Sequence, residues 1–221
     1  MQFEKCVLYT FFAFVFVFTS QAMAGEWTDE FEEEDEIAKN WTPLFGTWTF
    51  IEGIYKMQAG AVCGAAITEF DSSDAASIEI KARYVNGGWE NYSIILAYVD
   101  EDEAYQFDLR GGGETARFER FTPGVAGAQV LTQGNQVSDF NEWYTLKVVV
   151  EGDSVIGLVD DKEIARYTFP QGLPKGKIGL GGEQSITEFE YITITGPRIG
   201  VKAVESVAKL TTTWAGIKAQ D

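Results

Sequence analysis

The sequence predicts an all-β protein built as a sandwich of two antiparallel sheets. Short runs in which apolar and polar residues alternate follow one another along the chain, and this period is typical of half-buried strands. Glycine-containing turns such as VNGG and RGGGE separate the runs, and only 5 prolines interrupt the chain. We therefore expect about a dozen strands and no long helix before residue 200.

Residues 1–24 have the features of a signal peptide. A short polar start with one lysine precedes the apolar run Val7–Phe18, which is too short to span a bilayer comfortably. The small residues Ala22 and Ala24 then suit a signal peptidase. An uncleaved N-terminal anchor is the alternative. A cleaved leader predicts an exported protein, either secreted or in the periplasm or cell envelope, with no membrane span in the mature chain.

A strongly acidic run follows the predicted leader. Seven of the eight residues from Asp29 to Glu36 are acidic. We interpret the run as a solvated connection between a first strand near Trp27–Phe31 and the rest of the domain. A contribution to a cation site is the alternative.

The next runs predict a hairpin and a strand with a clear core face. Gly53 lies between the two short alternating runs of TWTFIEGIYKMQ, which indicates a hairpin. The strand SIEIKARY is expected to bury Ile78, Ile80, Ala82 and Tyr84, because alternate residues of a strand face the same side.

The stretch from Trp143 to Phe169 is predicted to be scaffold. It consists of three strands joined by the tight turns EGDS and DDK. Its first strand, TLKVVVE, puts Leu146, Val148 and Val150 on the core face, and the DDK turn sets the register of the strands that follow.

Residues 197–221 differ in character from the domain, which is expected to span residues 25–196. This last segment carries 4 basic residues and a weak helical pattern interrupted by TTT at 211–213. A flexible or strapped-on tail is the simplest interpretation. A segment that binds a partner or the cell envelope is the alternative.

Composition limits the ligands and the chemistry. The formal net charge of −17 should repel nucleic acid and anionic lipid, and it suits a neutral ligand or a cation. The chain has no histidine, which excludes a Ser-His-Asp triad, a Cys-His pair and a histidine-ligated zinc site. Leader cleavage would leave Cys63 as the sole cysteine, and its small neighbours indicate a buried apolar residue rather than a nucleophile.

Four stretches of the chain match a known group of domains in the same order. They are EWTDEFEEEDEIAKNWTPLFGTWTFIEGIYKMQ, AYVDEDEAYQFDLR, EWYTLKVVVEGDSVIGLVDDKEI and GKIGLGGEQSITEFEYITI. In this order, over residues 26–195, they resemble the concanavalin A-like lectin/glucanase domains of bacterial secreted proteins. The resemblance implies a jelly roll of two curved antiparallel sheets. This fold is shared by laminin-G-like modules, family-16 glycoside hydrolases and 3-keto-disaccharide hydrolases. Most of these relatives bind carbohydrate or act on it.

The catalytic motifs of these relatives are not matched. Family-16 enzymes place Glu-x-Asp-x-x-Glu on one strand, whereas the nearest match, EFDSSD, has Asp74 as its last residue and contains a predicted turn. The 3-keto-disaccharide hydrolases show N-S-G-I, which NYSII at 91–95 matches weakly, and a later E-x-Q without a convincing counterpart. Ala97 stands where related domains carry an arginine. These departures argue against carrying over either activity.

The resemblance also implies a calcium site. Relatives often hold calcium where the first and last strands meet, with a strand carboxylate among the ligands. Glu190 stands where they carry the aspartate of F-D-N, and it is the metal ligand that the resemblance indicates.

Aromatic residues after a glycine turn suggest a carbohydrate groove. Sugar sites combine an aromatic ring, which contacts the C–H face of the sugar, with charged and amide groups that bind its hydroxyls. Trp89 and Tyr92 follow the VNGG turn and would supply the rings.

Two neighbouring strands would supply the polar groups of that groove. Gln106, Asp108 and Arg110 lie on the polar face of AYQFDLR, and Arg117 and Glu119 lie on the polar face of ARFERF. If the two strands pair, these residues form one polar surface. An ordinary solvated sheet face with cross-strand ion pairs is the alternative.

Together these observations predict a secreted, non-catalytic, lectin-like domain that binds a polysaccharide or an oligosaccharide. One alternative is a glycoside hydrolase, of the 3-keto-disaccharide or glucanase type, that uses unrecognised carboxylates. The other is a structural or adhesive protein of the cell envelope.

Overall fold

The computed structural model describes residues 24–60, 63–111 and 114–200, except for the side chains of residues 86–90. Residues 1–23 of the predicted leader and residues 201–221 of the predicted tail lie outside these ranges, so both remain predictions. Among the described residues, no helix is both long enough and apolar enough to cross a membrane.

Strands dominate the described chain, which confirms the predicted all-β class. One short helix, α1, spans Glu34–Asn40, and a single 3-10 turn spans Ser72–Asp74. The strands are β1 (Gly25–Asp29), β2 (Thr42–Phe45), β3 (Thr47–Ile51), β4 (Ile54–Gln58), β5 (Cys63–Asp71), β6 (Ser77–Tyr98), β7 (Ala104–Arg110), β8 (Thr115–Phe121), β9 (Ala128–Asn135), β10 (Tyr144–Glu151), β11 (Ser154–Val159), β12 (Lys162–Thr168) and β13 (Lys177–Gly196).

Two long strands, β6 and β13, belong to both sheets of the fold. They pair antiparallel over most of their length, and their register shifts at several points between Glu183 and Tyr191. Such irregularities bend a strand, and here they lie where the chain passes from one sheet to the other. The pairing partners then define the two sheets, which confirms the predicted antiparallel jelly-roll sandwich.

The first sheet has the strand order β12-β11-β10-β6-β13-β4-β3, and β1 also pairs with β13. The second sheet uses the other halves of the two long strands, in the order β9-β8-β7-β6-β13-β5-β2.

The core fills the space between the two sheets. In the first sheet Ile80 of β6 lies opposite Leu146 of β10, and in the second sheet Ile94 of β6 lies opposite Phe107 of β7. All four side chains are fully buried. The face predicted for SIEIKARY and the Leu146 and Val148 positions of TLKVVVE are likewise buried, and Val150 packs against them in part.

Both predicted hairpin regions form. The run TWTFIEGIYKMQ becomes β3 and β4, paired from Thr47↔Gln58 to Ile51↔Ile54. The stretch from Trp143 to Phe169 becomes β10, β11 and β12, which lie side by side at one end of the first sheet. As expected for this stretch, buried residues such as Leu146, Val148 and Val155 belong to the core between the sheets.

The acidic run contains a helix that the sequence did not predict. Its last residues form the first turn of α1, with Glu34, Asp35 and Glu36 next to the helix N-terminus, where negative charge is favourable. Ile37 is buried and anchors the helix to the sandwich. The expectation of a simple solvated connection is therefore corrected, although most of the acidic side chains are exposed.

Asp29, at the start of the acidic run, has a structural role. One carboxylate oxygen accepts a hydrogen bond from Trp41 Nε1 and the other from the backbone N–H of Phe31, each at 2.9 Å. Phe31 and Trp41 in turn pack with Tyr55 in a group of aromatic rings. This carboxylate therefore ties the N-terminal segment to the core.

The sandwich is closed on the side where the two edge strands β9 and β12 meet. A Cβ atom on Gly134 of β9 would lie 2.0 Å from the carbonyl oxygen of Ile164 of β12. Only glycine allows the two backbones to approach this closely.

A second close approach gives a test of the packing between the sheets. A Cβ atom on Gly157 of β11 would lie 2.3 Å from the ring of Phe107, which belongs to the opposite sheet. We expect Gly157→Ala to lower the free energy of unfolding by about 1–3 kcal/mol, because the core would be overpacked. Urea denaturation followed by tryptophan fluorescence measures this. Gly60→Ala is the matched control, since apart from Gly60 and its two chain neighbours no atom lies within 4 Å of its Cβ position. Equal stability losses in the two variants would contradict the packing.

Candidate functional site

The outer face of the second sheet carries a cluster of polar side chains. β7 and β8 pair in the register Asp108↔Arg117 and Gln106↔Glu119, so these four residues lie on one face, as the sequence predicted for paired strands. Two residues of the neighbouring strand β6 complete what we call the polar cluster, which consists of Asn91, Ser93, Gln106, Asp108, Arg117 and Glu119.

Asp108 is bonded on both carboxylate oxygens. Arg117 donates from Nε to Oδ1 at 3.3 Å and from Nη2 to Oδ2 at 3.1 Å. Asn91 donates from Nδ2 to Oδ2 at 3.0 Å. A guanidinium and an amide thus hold this carboxylate from the two strands that flank β7.

Glu119 forms the other half of the cluster. Its Oε2 accepts a hydrogen bond from Gln106 Nε2 at 3.1 Å, and its Oε1 pairs with the Nη2 group of Arg117. Ser93 donates from Oγ to Gln106 Oε1 at 2.9 Å. A continuous hydrogen-bonded network therefore crosses three strands, with Arg117 between two carboxylates.

The polar cluster is buried, so the solvated part of the alternative is wrong, whereas the cross-strand ion pair that it expected is present between Arg117 and Asp108. Asp108 is 0% exposed, Glu119 1% and Arg117 9%. Arg110, on the same face of β7, is partly exposed at the margin of the cluster. Burying charge is costly unless partners compensate, and here one arginine faces two acids.

The loop between β8 and β9, residues 122–127, contacts this outer face. The backbone N–H of Gly127 donates to Glu183 Oε1 at 3.2 Å, and Gly124 lies against the ring of Phe45. Glu183 also donates from its backbone N–H to Asn91 Oδ1 at 2.6 Å. The loop is thereby linked through Glu183 to Asn91 of the polar cluster.

Burial changes the protonation of the two acids. It raises the pKa of Glu119 to about 7, with the negative charge of Asp108 adding to the effect and Arg117 opposing it. Burial also raises the pKa of Asp108, against the influence of Arg117. One guanidinium cannot fully compensate two buried carboxylates, so the pair can hold an extra proton near neutral pH.

Cys63 lies on the same outer face and is a buried residue, as the sequence indicated. Burial raises the pKa of its thiol to about 12, and the charges of Glu183, Glu119 and Asp108 add to the shift. The thiol therefore stays protonated, which does not suit a nucleophile.

The two aromatic residues predicted for the groove are not placed with the polar cluster. The Trp89 side chain lies outside the described part of the structure, so its role stays a prediction. Tyr92 is fully buried between the sheets, with its ring 6.1 Å from that of Tyr84. Placing Tyr92 at a ligand surface is thus wrong, because the alternation along β6 puts it on the core face with Ile94.

The predicted calcium ligand is engaged elsewhere. Glu190 pairs with Lys81 at 2.6 Å and is 42% exposed on its side chain. Across residues 24–60, 63–111 and 114–200, no group of three or more Cys, Asp or Glu side chains is arranged to hold a metal ion. Calcium binding through Glu190 remains an untested prediction.

Sequence reasoning missed Asn91, Ser93 and Glu183. A signal for the first two was present, because Tyr92, Ile94 and Leu96 alternate along β6, which puts Asn91 and Ser93 on the opposite face. Glu183 gave no local signal, since its contact with the β8–β9 loop joins residues 56 positions apart.

Residues 25–195 match the family described as 3-keto-alpha-glucoside-1,2-lyase-like domains. The chain belongs to this family. No curated protein matches it. The membership agrees with the resemblance to the concanavalin A-like superfamily, in which 3-keto-disaccharide hydrolases were among the expected relatives.

Solved structures of similar fold include a carbohydrate-binding module and two enzymes named for polysaccharides. The carbohydrate-binding module CBM66 from Bacillus subtilis has a TM-score of 0.61 at 18% identity, over 70% of this chain and 95% of that chain. The β-glucanase of Bacillus licheniformis has a TM-score of 0.56 at 12% identity, over 77% of this chain and 97% of that chain. A third similar structure is the κ-carrageenase of Pseudoalteromonas carrageenovora in complex with an oligotetrasaccharide of κ-carrageenan. It has a TM-score of 0.58 at 11% identity, over 80% of this chain and 97% of that chain. Identities this low show a shared fold alone.

The raised pKa of Glu119 predicts a specific pH dependence of stability. Folded Glu119 keeps its proton up to a pKa of about 7, whereas an unfolded glutamate releases it near 4.5. Between these values the folded state binds more protons, so the unfolding free energy falls as pH rises and levels off above the window. In Glu119→Gln this fall should largely disappear, as measured by urea unfolding from pH 4.5 to 8.

Glu163→Gln, which removes an exposed carboxylate from β12, controls for the loss of one negative charge. If the Glu119→Gln variant kept the wild-type slope between pH 4.5 and 7, the raised pKa of Glu119 would be contradicted.

Proposed function

We propose that this chain is an exported carbohydrate-binding domain that acts without catalysis and takes a neutral saccharide on the outer face of its second sheet. The observation that carries the proposal is the polar cluster. Its two carboxylates are buried and both are bonded to Arg117, which suits a positioning role better than that of an exposed acid and base pair.

The arginines at the margin of the cluster are the groups that fit a saccharide ligand. Arg110 is partly exposed, and the side chain of Arg117 keeps 11% exposure while Asp108 and Glu119 fix its guanidinium. A guanidinium held in this way can donate to sugar hydroxyls without losing much rotamer freedom on binding. Trp89, from the sequence prediction, would supply the aromatic ring.

Charge favours a neutral saccharide as the ligand. The chain carries a net charge of −17, which opposes the approach of sulfated or uronic-acid glycans. Among the similar structures, one is named a carbohydrate-binding module, and another holds an oligosaccharide. These likenesses support the ligand class, and the predicted leader supports export.

Affinity gel electrophoresis tests the proposal. We expect the protein to be retarded by at least one neutral polysaccharide in a panel of starch, laminarin, xylan and galactomannan, run with and without calcium. Trp89→Ala should abolish the retardation, since it removes the predicted stacking ring.

Trp143→Ala is the matched control. Trp143 lies outside the polar cluster, beneath the side chains of Arg83 and Lys81 of the first sheet, so its loss should leave retardation unchanged. Unaltered migration of the wild-type protein in every gel would contradict a polysaccharide-binding function.

A 3-keto-glucoside lyase activity is the second candidate, and Glu119 favours it. In a 1,2-elimination from a 3-keto-α-glucoside, a base takes the C2 proton that the C3 carbonyl acidifies, the C1–O bond breaks, and the departing oxygen takes a proton. A pKa of about 7 lets Glu119 accept or donate a proton at neutral pH, as a general base or acid requires.

Release of p-nitrophenol from p-nitrophenyl 3-keto-α-glucoside tests this second candidate. If Glu119 transfers the proton, Glu119→Gln should lower the rate by about 100-fold or more. Glu163→Gln should keep the wild-type rate. Release no faster than in a protein-free blank would exclude the lyase candidate and leave the binding proposal standing.

A further inference from the structure

A cleft of about 440 Å³ opens at one end of the sandwich, away from the polar cluster. Tyr105 of β7 and Arg120 of β8 line it from the second sheet, where they are direct cross-strand neighbours. Tyr167 of β12 lines it from the first sheet, and residues 169–174 close one side. We call this space the end cleft. Its volume lies in the range typical of small-molecule pockets.

The aromatic wall of the end cleft is fixed before any ligand binds. Phe169 is buried and makes edge-on contacts with two rings, with Tyr105 at a centroid distance of 5.5 Å and Tyr167 at 4.9 Å. The segment that carries Phe169 is held by a hydrogen bond from its N–H to the Asp153 carbonyl at 2.9 Å. Rings held in this way offer apolar surface with little loss of entropy on binding.

The polar side of the end cleft is also organised. Glu103 Oε1 accepts a hydrogen bond from the Tyr105 hydroxyl at 2.6 Å and pairs with Arg120 Nε at 2.8 Å. The side chain of Arg120 is nevertheless 49% exposed, and that of Glu103 is 30% exposed. Burial and the bond to Glu103 raise the pKa of Tyr105 to about 12, so its hydroxyl stays a donor.

We infer that the end cleft is a second binding site, for a short neutral saccharide. Aromatic rings beside an arginine–carboxylate pair match the two kinds of surface on a sugar ring, which are its C–H faces and its hydroxyls. The pair of Arg120 and Glu103 is neutral as a unit, and the net charge of −17 disfavours an anionic ligand. The ligand class rests on the proposed function, but the site uses the opposite face of β7 and β8.

Titration of the full ¹⁵N-labelled chain with maltose, cellobiose and lactose, followed by NMR, tests the inference. We expect at least one of these sugars to shift the amide signals of residues that line the end cleft. Tyr167→Ala and Arg120→Met should each weaken that binding about tenfold or more, because a ring contact or charged hydrogen bonds are lost. Tyr167→Phe should keep most of the affinity.

Arg166→Met is the matched control for the lost charge. Arg166 precedes Tyr167 in the sequence, and its side chain is 46% exposed, close to the 49% of Arg120. It pairs with Glu151 and Glu163 rather than with Glu103. The amide spectrum of each variant also reports whether the variant is folded, so loss of binding is separable from loss of structure.

The outcomes separate this inference from the proposed function. Shifts that are lost in the Tyr167 and Arg120 variants but kept in Trp89→Ala support a site in the end cleft. Shifts that are lost only in Trp89→Ala overturn it and leave the outer-face proposal intact. If none of the three sugars shifts any signal, the end cleft is not a site for short saccharides, and polysaccharide retardation in gels then decides the proposed function alone.

Discussion

The antiparallel pairing of β6 with β13 is the constraint on which the other strands depend. Each strand runs through both sheets, so the bend between Glu183 and Tyr191 determines how the two sheets face each other. The first half of β6 pairs with β10 in the first sheet, and its second half pairs with β7 in the second sheet. Because both halves come from one continuous strand, the alternation of β6 also decides which residues enter the core and which reach the outer faces.

The polar cluster places buried charged residues on the outer face of the second sheet. Asp108 comes from β7, and Arg117 and Glu119 come from β8. A one-residue slip of β8 would turn both of its charges toward the apolar core and leave Asp108 without its arginine. The cluster therefore penalises the wrong register strongly. It also contains more acid than base, which is why protonation and structure are coupled at this place.

The sequence predicted the sandwich well, because strand alternation and turn residues are local signals. It predicted that Gln106, Asp108, Arg117 and Glu119 share a face, since this follows from pairing alone. It did not predict their burial, nor the contact of Gly127 with Glu183, which joins distant parts of the chain. Tyr92 was assigned to the groove because VNGG was predicted to be a turn, whereas residues 85–88 lie inside β6. The alternation of Tyr92 with Ile94 and Leu96 already indicated the core.

The contact between Gly134 and the backbone of Ile164 bears on how the protein behaves at high concentration. Edge strands present unpaired backbone groups that can template the addition of another chain, which is a common route to aggregation. Here the edge strands β9 and β12 shield one another, and β12 carries the charged residues Lys162, Glu163 and Arg166. A side chain at position 134 would separate these edges and leave both open to pairing with a second molecule.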